Sequence, residues 1–448
     1  MNNQKNQKVN LISRRSFLGK SAFSLGISLG MPYLVSAYAS GTKNPCNRIT
    51  VGCIGVGRMG MGDLKDMLEF DDVQVLAVCD VDGWRLKNAR EHVLEHYSSQ
   101  QKSGNYEGCA VYRDYRELIA REDIDVVLIC TPDHWHALPA ISAARAGKDI
   151  FLEKPLTLTL QEGRILSDTV KQYQRILQVG SQQRSDARFR FAAELVRNGK
   201  IGQLHTVKVG FGKDPFTELH PPTPVPEELD YDLWLGPAPY VPYIEQRVHP
   251  SKSYNRPGWL RTSDYCCGMI TGWGSHHLDS AHWGMDTEYT GPIEIEGQAE
   301  YSKGGIWDVH GAFRLDYTYA NGVKLICTDN AKNKQGVVFE GTEGWVYVRR
   351  GFIDAQPKSL LRLRIKPDEI HLYQSNDHKR NFIECIRQRK EPVAPVEIGH
   401  RSASACILGY IAMRLGRKLK WNPEREQFIN DDVANKMLSR PGRSPWQV

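Results

Sequence analysis

The chain has 448 residues, 25% charged and 41% hydrophobic, with 39 Gly and 23 Pro. That composition describes a globular protein of two or three domains and excludes a disordered, collagen-like or multi-span membrane chain. Of the formal charge of +6, five basic residues (Lys5, Lys8, Arg14, Arg15, Lys20) stand alone before Ser40, so the remainder carries +1 and lacks the basic face that nucleic-acid binding requires.

The first 39 residues read as an address. SRRSFLGK, residues 13–20, pairs two arginines ahead of Phe17 and Leu18. An apolar stretch follows at 23–35, broken by Gly26, Gly30 and Pro32, and Ala37-Tyr38-Ala39 offers the small residues a signal peptidase reads. The pattern is that of a twin-arginine export signal cleaved after Ala39. The apolar run is too short and glycine-rich to cross ~30 Å of hydrocarbon comfortably, and an uncleaved anchor is the alternative. The expected partner is the twin-arginine machinery and the expected location the periplasm, reached folded with a cofactor inside. The ten cysteines are scattered with no CxxC pair, so no metal site is expected. A vicinal Cys266–Cys267 disulfide is the alternative to buried thiols there.

Beyond residue 40 the pattern predicts alternating elements. Residues 48–54 are an apolar run that meets a glycine-rich turn, and a helix follows with Met61, Leu64, Met67 and Leu68 on one face. Strands are expected at 73–79, 126–130 and 150–152, and helices at 84–97, 115–120, 136–146 and 160–173. This alternation predicts parallel βαβ units in a sheet covered on both faces, a doubly wound Rossmann domain over residues 40–175.

After Gln203 the texture changes. Residues 205–211, 293–301, 311–320, 323–328, 337–341 and 344–350 alternate apolar with polar and are joined by short turns. They predict a large, mostly antiparallel sheet in an α+β domain spanning 176–425, with a C-terminal tail at 426–448. Residues 214–262, rich in Pro and Trp, read as an ordered excursion or lid. Helices are expected at 377–389 and 400–417.

The turn after the first strand is Gly55-Val56-Gly57-Arg58-Met59-Gly60. Its first glycine makes the turn, its second admits a pyrophosphate, and its third packs helix against strand, with the helix N-terminus facing the anion. Asp80 ends the next strand, where a carboxylate accepts from both ribose hydroxyls and repels a 2′-phosphate. The cofactor expected is therefore NAD, with NADP the alternative that nearby Arg85 leaves open. Two further motifs end later strands, where ligands bind in open α/β sheets. They are Thr131-Pro132-Asp133-His134-Trp135-His136 and Glu153-Lys154-Pro155. A lysine so placed can bond a substrate hydroxyl and stabilise a developing alkoxide.

The fingerprint, TP-x-x-x-H and EKP, in this order, resemble the glucose–fructose oxidoreductase/inositol dehydrogenase (Gfo/Idh/MocA) family over about residues 48–420. The resemblance implies that Lys154 is catalytic and touches nicotinamide and substrate, that His136 lies beside the nicotinamide, and that Thr131, Pro132 and Glu153 line the cofactor site. The family's D-x-G-x-H-x-x-D motif falls on residues 272–279. His276 takes the place of its catalytic histidine, while Gly272 stands where many members carry an aspartate. His276 and Asp279 are also i and i+3 on one helix face, so Asp279 is expected to orient His276. The export signal, YDLWLGPAPYVPY at 231–243 and the ending SRPGRSPWQV resemble an exported branch of the family.

These readings converge on an NAD-dependent oxidoreductase acting on a ring hydroxyl of a sugar or glycoside. Lys154 would polarise the hydroxyl, and His276 would take or relay its proton. Trp234, Trp259, Arg261, Trp273 and His277 are the candidate substrate contacts. A periplasmic dehydrogenase should hold its NAD tightly and run ping-pong or redox-neutral chemistry. The alternatives are an NAD-assisted glycosidase, lyase or epimerase, and a non-catalytic sugar-binding protein on the same fold. An open face on the second sheet predicts a homodimer or homotetramer.

Overall fold

The computed structural model describes residues 48–447. The export-signal reading falls outside them. Among the described residues no helix is long and apolar enough to cross a membrane.

The first sheet has six parallel strands: β1 (Ile49–Ile54), β2 (Val73–Cys79), β3 (Ala110–Tyr112), β4 (Val126–Ile129), β5 (Asp149–Leu152) and β6 (Leu177–Val179). Their order is β3-β2-β1-β4-β5-β6. All four residues of β4 are fully buried, as a continuous apolar run covered on both faces demands. The connecting helices are set by local capping. Asp82 caps Gly83–His96 by accepting from the N–H groups of Trp84 and Arg85. Thr159 and Glu162 form a reciprocal capping box at the start of Leu160–Gln172. β6, beyond residue 175, completes this sheet beside β5; at three residues it is too short to show a period.

The second sheet has nine strands: β7 (Leu204–Phe211), β8 (Glu294–Ala299), β9 (Phe313–Thr318), β10 (Lys324–Asp329), β11 (Gly336–Gly341), β12 (Gly344–Arg349), β13 (Phe352–Gln356), β14 (Leu419–Asn422) and β15 (Gln427–Phe428). It is ordered β13-β12-β11-β7-β10-β9-β8-β14-β15. One pair departs from the antiparallel expectation: β7 and β10 run parallel, Val207 beside Leu325. Along β9, Phe313, Leu315 and Tyr317 face the core while Arg314 is exposed, and Arg314 pairs with Asp316 on the other face.

Two C-terminal helices bind the sheets together. Val396–Leu415 is apolar on nearly all sides, with Ala403 in the core of the first sheet and Cys406 to Met413 in that of the second. His378–Gln388 returns to the first sheet, burying Phe382 against Phe151 at 5.7 Å between ring centroids. The seam carries a polar network. Arg164 reaches Glu397 at 2.9 Å and Glu426 at 2.8 Å, and His400 reaches Glu426 at 2.7 Å. The segment read as a tail at 426–448 is described as far as residue 447. It adds β15 and the short helix Asp432–Lys436, and docks through Arg443, whose Nη2 donates to the Asp232 carbonyl at 2.9 Å.

Candidate active site

A cleft of about 770 Å³ opens at the carboxyl ends of the parallel strands, where the strand order reverses between β1 and β4. Its floor is the glycine loop. Gly55 has φ +80°, and a Cβ there would lie 2.6 Å from the Cys130 carbonyl oxygen. A Cβ at Gly60 would lie 1.9 Å from the Gly55 carbonyl oxygen, so helix Arg58–Leu68 sits hard against the turn. A Cβ at Gly57 would meet nothing nearer than Arg85 Nη1, 3.9 Å away on the cleft side. No side chain caps this helix. Its first-turn N–H groups therefore face open space, the cradle a pyrophosphate fills.

Asp80 closes the loop from β2. Its Oδ2 accepts from Val56 N–H at 2.9 Å and its Oδ1 from Asp82 N–H at 3.0 Å. Each oxygen keeps a lone pair for a ribose hydroxyl. Burial pushes this carboxyl up, against the charge of Arg85 and the two amides. The residues present thus fit a dinucleotide.

The next two loops form the cleft's middle. His136 is buried with Nδ1 2.6 Å from the Pro155 carbonyl and Nε2 3.0 Å from the Thr131 carbonyl. Burial drives its pKa down to about 4, so it is neutral and donates to one carbonyl at a time. It lines the cleft, but its nitrogens are spent tying the TP loop to the EKP loop. Glu153 is 3% exposed and accepts from Gln182 Nε2 at 2.7 Å. Burial, with Asp63 adding repulsion, pushes Glu153 up to about 8. Lys154 makes no side-chain hydrogen bond or ion pair among the described residues. Its ammonium lines the cleft unclaimed.

Asp133 is the group that sequence reasoning passed over. It lines the cleft at 4% exposure, and its Oδ2 has no hydrogen-bond partner among the described residues. Burial pushes its pKa up to about 7, against the attraction of Lys154 and the Cys266 thiol beside it. Unpartnered buried carboxyls are costly and concentrate at functional sites.

The far wall comes from the second domain. His276, on Gly274–Met285, accepts at Nε2 from Arg350 Nη2 at 3.2 Å. The proton is therefore on Nδ1, which has no hydrogen-bond partner among the described residues. Burial first, then the charges of Lys154 and Arg350, hold His276 well below its ordinary pKa. The Arg350 guanidinium lies 5.0 Å from the Trp273 ring centroid. Arg350 opens the turn between β12 and β13, and nothing in the sequence connects it to His276, 74 residues earlier. A Cβ at Gly272 would meet only Met269 Sδ, at 3.9 Å, so the cleft is open where a side chain would otherwise enter it.

Comparison with known proteins places this site. Residues 49–181 match the oxidoreductase family's NAD-binding Rossmann fold, and residues 208–448, more than half of the chain, match its C-terminal alpha/beta domain. The chain belongs to the Gfo/Idh/MocA oxidoreductase family. Among curated relatives, an uncharacterized oxidoreductase, YrbE, of Bacillus subtilis is 32% identical over 169 residues, 38% of this chain and 45% of its own. A glycosyl hydrolase family 109 protein of Shewanella sp. (strain ANA-3) is 33% identical over 156 residues, 35% of this chain and 33% of its own. The chain thus spans less than half the length of these relatives. Among solved structures, aldose–aldose oxidoreductase from Caulobacter crescentus, complexed with glycerol, has TM-score 0.59 at 18% identity, covering 83% of this chain and 99% of that one. WlbA dehydrogenase from Bordetella pertussis, complexed with NADH and UDP-GlcNAcA, has TM-score 0.58 at 16% identity, covering 84% and 99%. Both likenesses are of fold.

Within this Gfo/Idh/MocA fold the expected site residues divide. Gly55, Gly57, Arg58, Met59, Asp80, Thr131, Pro132, His136, Glu153, Lys154, Trp234, Trp259, Trp273 and His276 line the cleft. Gly60 lies beneath it as packing. Asp279 does not orient His276. Its carboxylate takes a bidentate pair from Arg184 at 2.7 and 2.8 Å and a third bond from Ser402 at 2.8 Å. A carboxylate with no exposed surface needs a full charge beside it, and the neutral imidazole 60° round the helix cannot supply one. His277 turns away from the cleft to Gln183, with burial lowering its pKa to about 3. Arg261 also misses the cleft, stacking 4.4 Å over Trp307. Trp234 borders the cleft, but 3% exposed and packed on Tyr231 and Tyr265 it is mainly core. Cys266 and Cys267 are free buried thiols, with no disulfide.

Proposed function

We propose that this NAD-binding oxidoreductase removes a hydride from a ring carbon of a sugar or glycoside. The observation that carries the reading is the unclaimed Lys154 ammonium between a dinucleotide cradle and a wall of neutral His276 and cationic Arg350. NAD, when bound, supplies the hydride acceptor. Lys154 donates to the substrate hydroxyl and stabilises the charge that develops on its oxygen. Asp133 takes the proton, since its oxygen is unpartnered and its pKa of about 7 suits reversible transfer at neutral pH. His276, with Nε2 filled by Arg350, serves as an Nδ1–H donor that positions the substrate rather than as the base. Trp259 and Trp273 offer apolar ring surface of the kind that packs on sugar faces.

The arginine pair and apolar run within residues 1–39 support export to the periplasm by the twin-arginine route, in a branch of the family specialised for it. There a dehydrogenase needs a resident cofactor. Asp80 favours NAD over NADP, and the sheet face expected to be open favours a homodimer or homotetramer.

A second reading, transient oxidation that assists cleavage of a glycosidic bond, is favoured by the 33% identity to a glycosyl hydrolase family 109 protein over 156 residues and by the open space at Gly272. Incubation with a panel of glycosides tests both. Stoichiometric absorbance at 340 nm supports net oxidation. Product without absorbance change supports the transient route. Bound NAD with no product from any glycoside contradicts both.

A further inference from the structure

The excursion at 214–262 has no long element of its own, yet one stretch of it is fastened to the cofactor domain at many points. Arg85, 5% exposed, donates from Nη2 to the carbonyl of Ser253 at 3.0 Å and to that of Pro250 at 3.4 Å. His249 Nε2 lies 2.9 Å from Asp82 Oδ2, while Asp82 Oδ1 caps the helix that carries Arg85. The Tyr254 ring sits 5.1 Å from Trp84 and 5.8 Å from the Arg85 guanidinium. Further back, Gly83 N–H donates to Glu228 O at 2.9 Å and Asp230 N–H to Val81 O at 3.0 Å. Lys252 pairs with Glu228 at 2.9 Å.

These anchors surround one place. Val81 to Arg85 directly follow Asp80, the ribose-binding carboxylate, and Arg85 Nη1 is the atom nearest to the open side of Gly57. His249, Asn255, Arg256 and Pro257 line the same cleft. The segment therefore crosses the adenosine end of the dinucleotide site.

We propose that residues 245–257 are a strap that locks NAD in place, with Arg85 as its pin. The inference rests on the NAD-binding reading and adds two consequences to it. First, the dinucleotide can leave by its adenosine end only when Arg85 and His249 let go together, so it behaves as a resident group, not an exchanging co-substrate. Second, the guanidinium that could have met a 2′-phosphate is committed to two strap carbonyls. A 2′-phosphate would face Asp80 with the Arg85 guanidinium already engaged, so the strap adds to the preference for NAD over NADP that Asp80 sets.

The test uses the exported protein purified from the periplasm. Dinucleotide released on denaturation is measured, and so is exchange with isotopically labelled NAD. The strap predicts near-stoichiometric NAD, exchange over hours, and no NADP uptake. Arg85→Ala and, separately, His249→Gln should exchange at least about tenfold faster, with Arg85→Ala also losing bound NAD. Tyr254→Ala, which leaves the buried polar pairs intact, should exchange faster while staying folded. Wild-type exchange within seconds, or unchanged exchange in all three folded variants, overturns the strap and leaves the NAD-binding reading standing. Failure of refolded wild-type protein to bind any NAD overturns that reading instead.

Discussion

The two ends of the cleft are made in different ways. The dinucleotide cradle beneath the strap is built from neighbours in sequence: a strand, a glycine turn, a helix start, and an aspartate one strand later. Each follows from backbone geometry, which few residue types can satisfy. The substrate end is assembled from distant pieces. Lys154 and Asp133 come from two loops of the first sheet, His276 from a buried helix, and Arg350 from a hairpin turn of the second sheet. Local rules cannot locate such a meeting point, because it is fixed by how the sheets dock.

The comparison can be broken at its chemical end first. Lys154→Met should reduce turnover by about three orders of magnitude or more while the bound NAD is unchanged, since the lysine touches nothing that holds the cradle. A matched loss of NAD would mean that the two ends are not separable. Asp133→Asn should cost about 10²- to 10⁴-fold in kcat, the usual worth of a positioned acid–base group. In the wild type, activity should rise with pH through about 7 as Asp133 loses its proton, and that limb should vanish in the variant. The sign for stability is opposite. The native state keeps this proton to about pH 7 and the unfolded chain releases it near pH 4, so wild-type stability falls as pH rises between those values. Urea titrations across that window should show a shallower fall in Asp133→Asn.

A smaller effect is expected at Arg350. Arg350→Met removes a charge-assisted bond and should raise KM roughly ten- to a hundredfold. It should also raise the pKa of His276, which Arg350 now depresses, as histidine NMR would show. The smallest effect lies away from the cleft, at the seam. Glu397 and Glu426 are held down at about 2 by hydrogen bonds, Arg164 serving both, that outweigh their burial. That contribution is present above the ordinary carboxylate range and is lost as pH falls towards 2. Arg164→Met should therefore lower Tm by a few degrees at pH 7 and by less at pH 3, with kcat unchanged.

Legibility followed the same division. β2 was readable to the residue because it is a single apolar run ending at a functional aspartate. β3 and β6 were not, because three residues carry no period and their pairing comes from the sheet. The parallel pairing of β7 with β10 was hidden because a strand's alternation reports which face is covered, not the direction of its neighbour. Helical spacing correctly put His276 and Asp279 on one element. It misjudged their partnership, because Arg184 offers a buried carboxylate a full positive charge and His276 does not. Arg85 was noticed for its nearness to Asp80 and read as a contact for a phosphate; its real partners are carbonyls 165 and 168 residues away.

The most direct test of the central claim follows the hydride itself. The purified protein would be incubated with glycosides deuterated at single ring carbons, and its dinucleotide recovered by denaturation for mass spectrometry. The account predicts deuterium in the recovered nicotinamide for at least one labelled position, whether or not net NADH forms, and none in Lys154→Met. Unlabelled dinucleotide from an NAD-loaded protein that nonetheless converts the glycoside would contradict it.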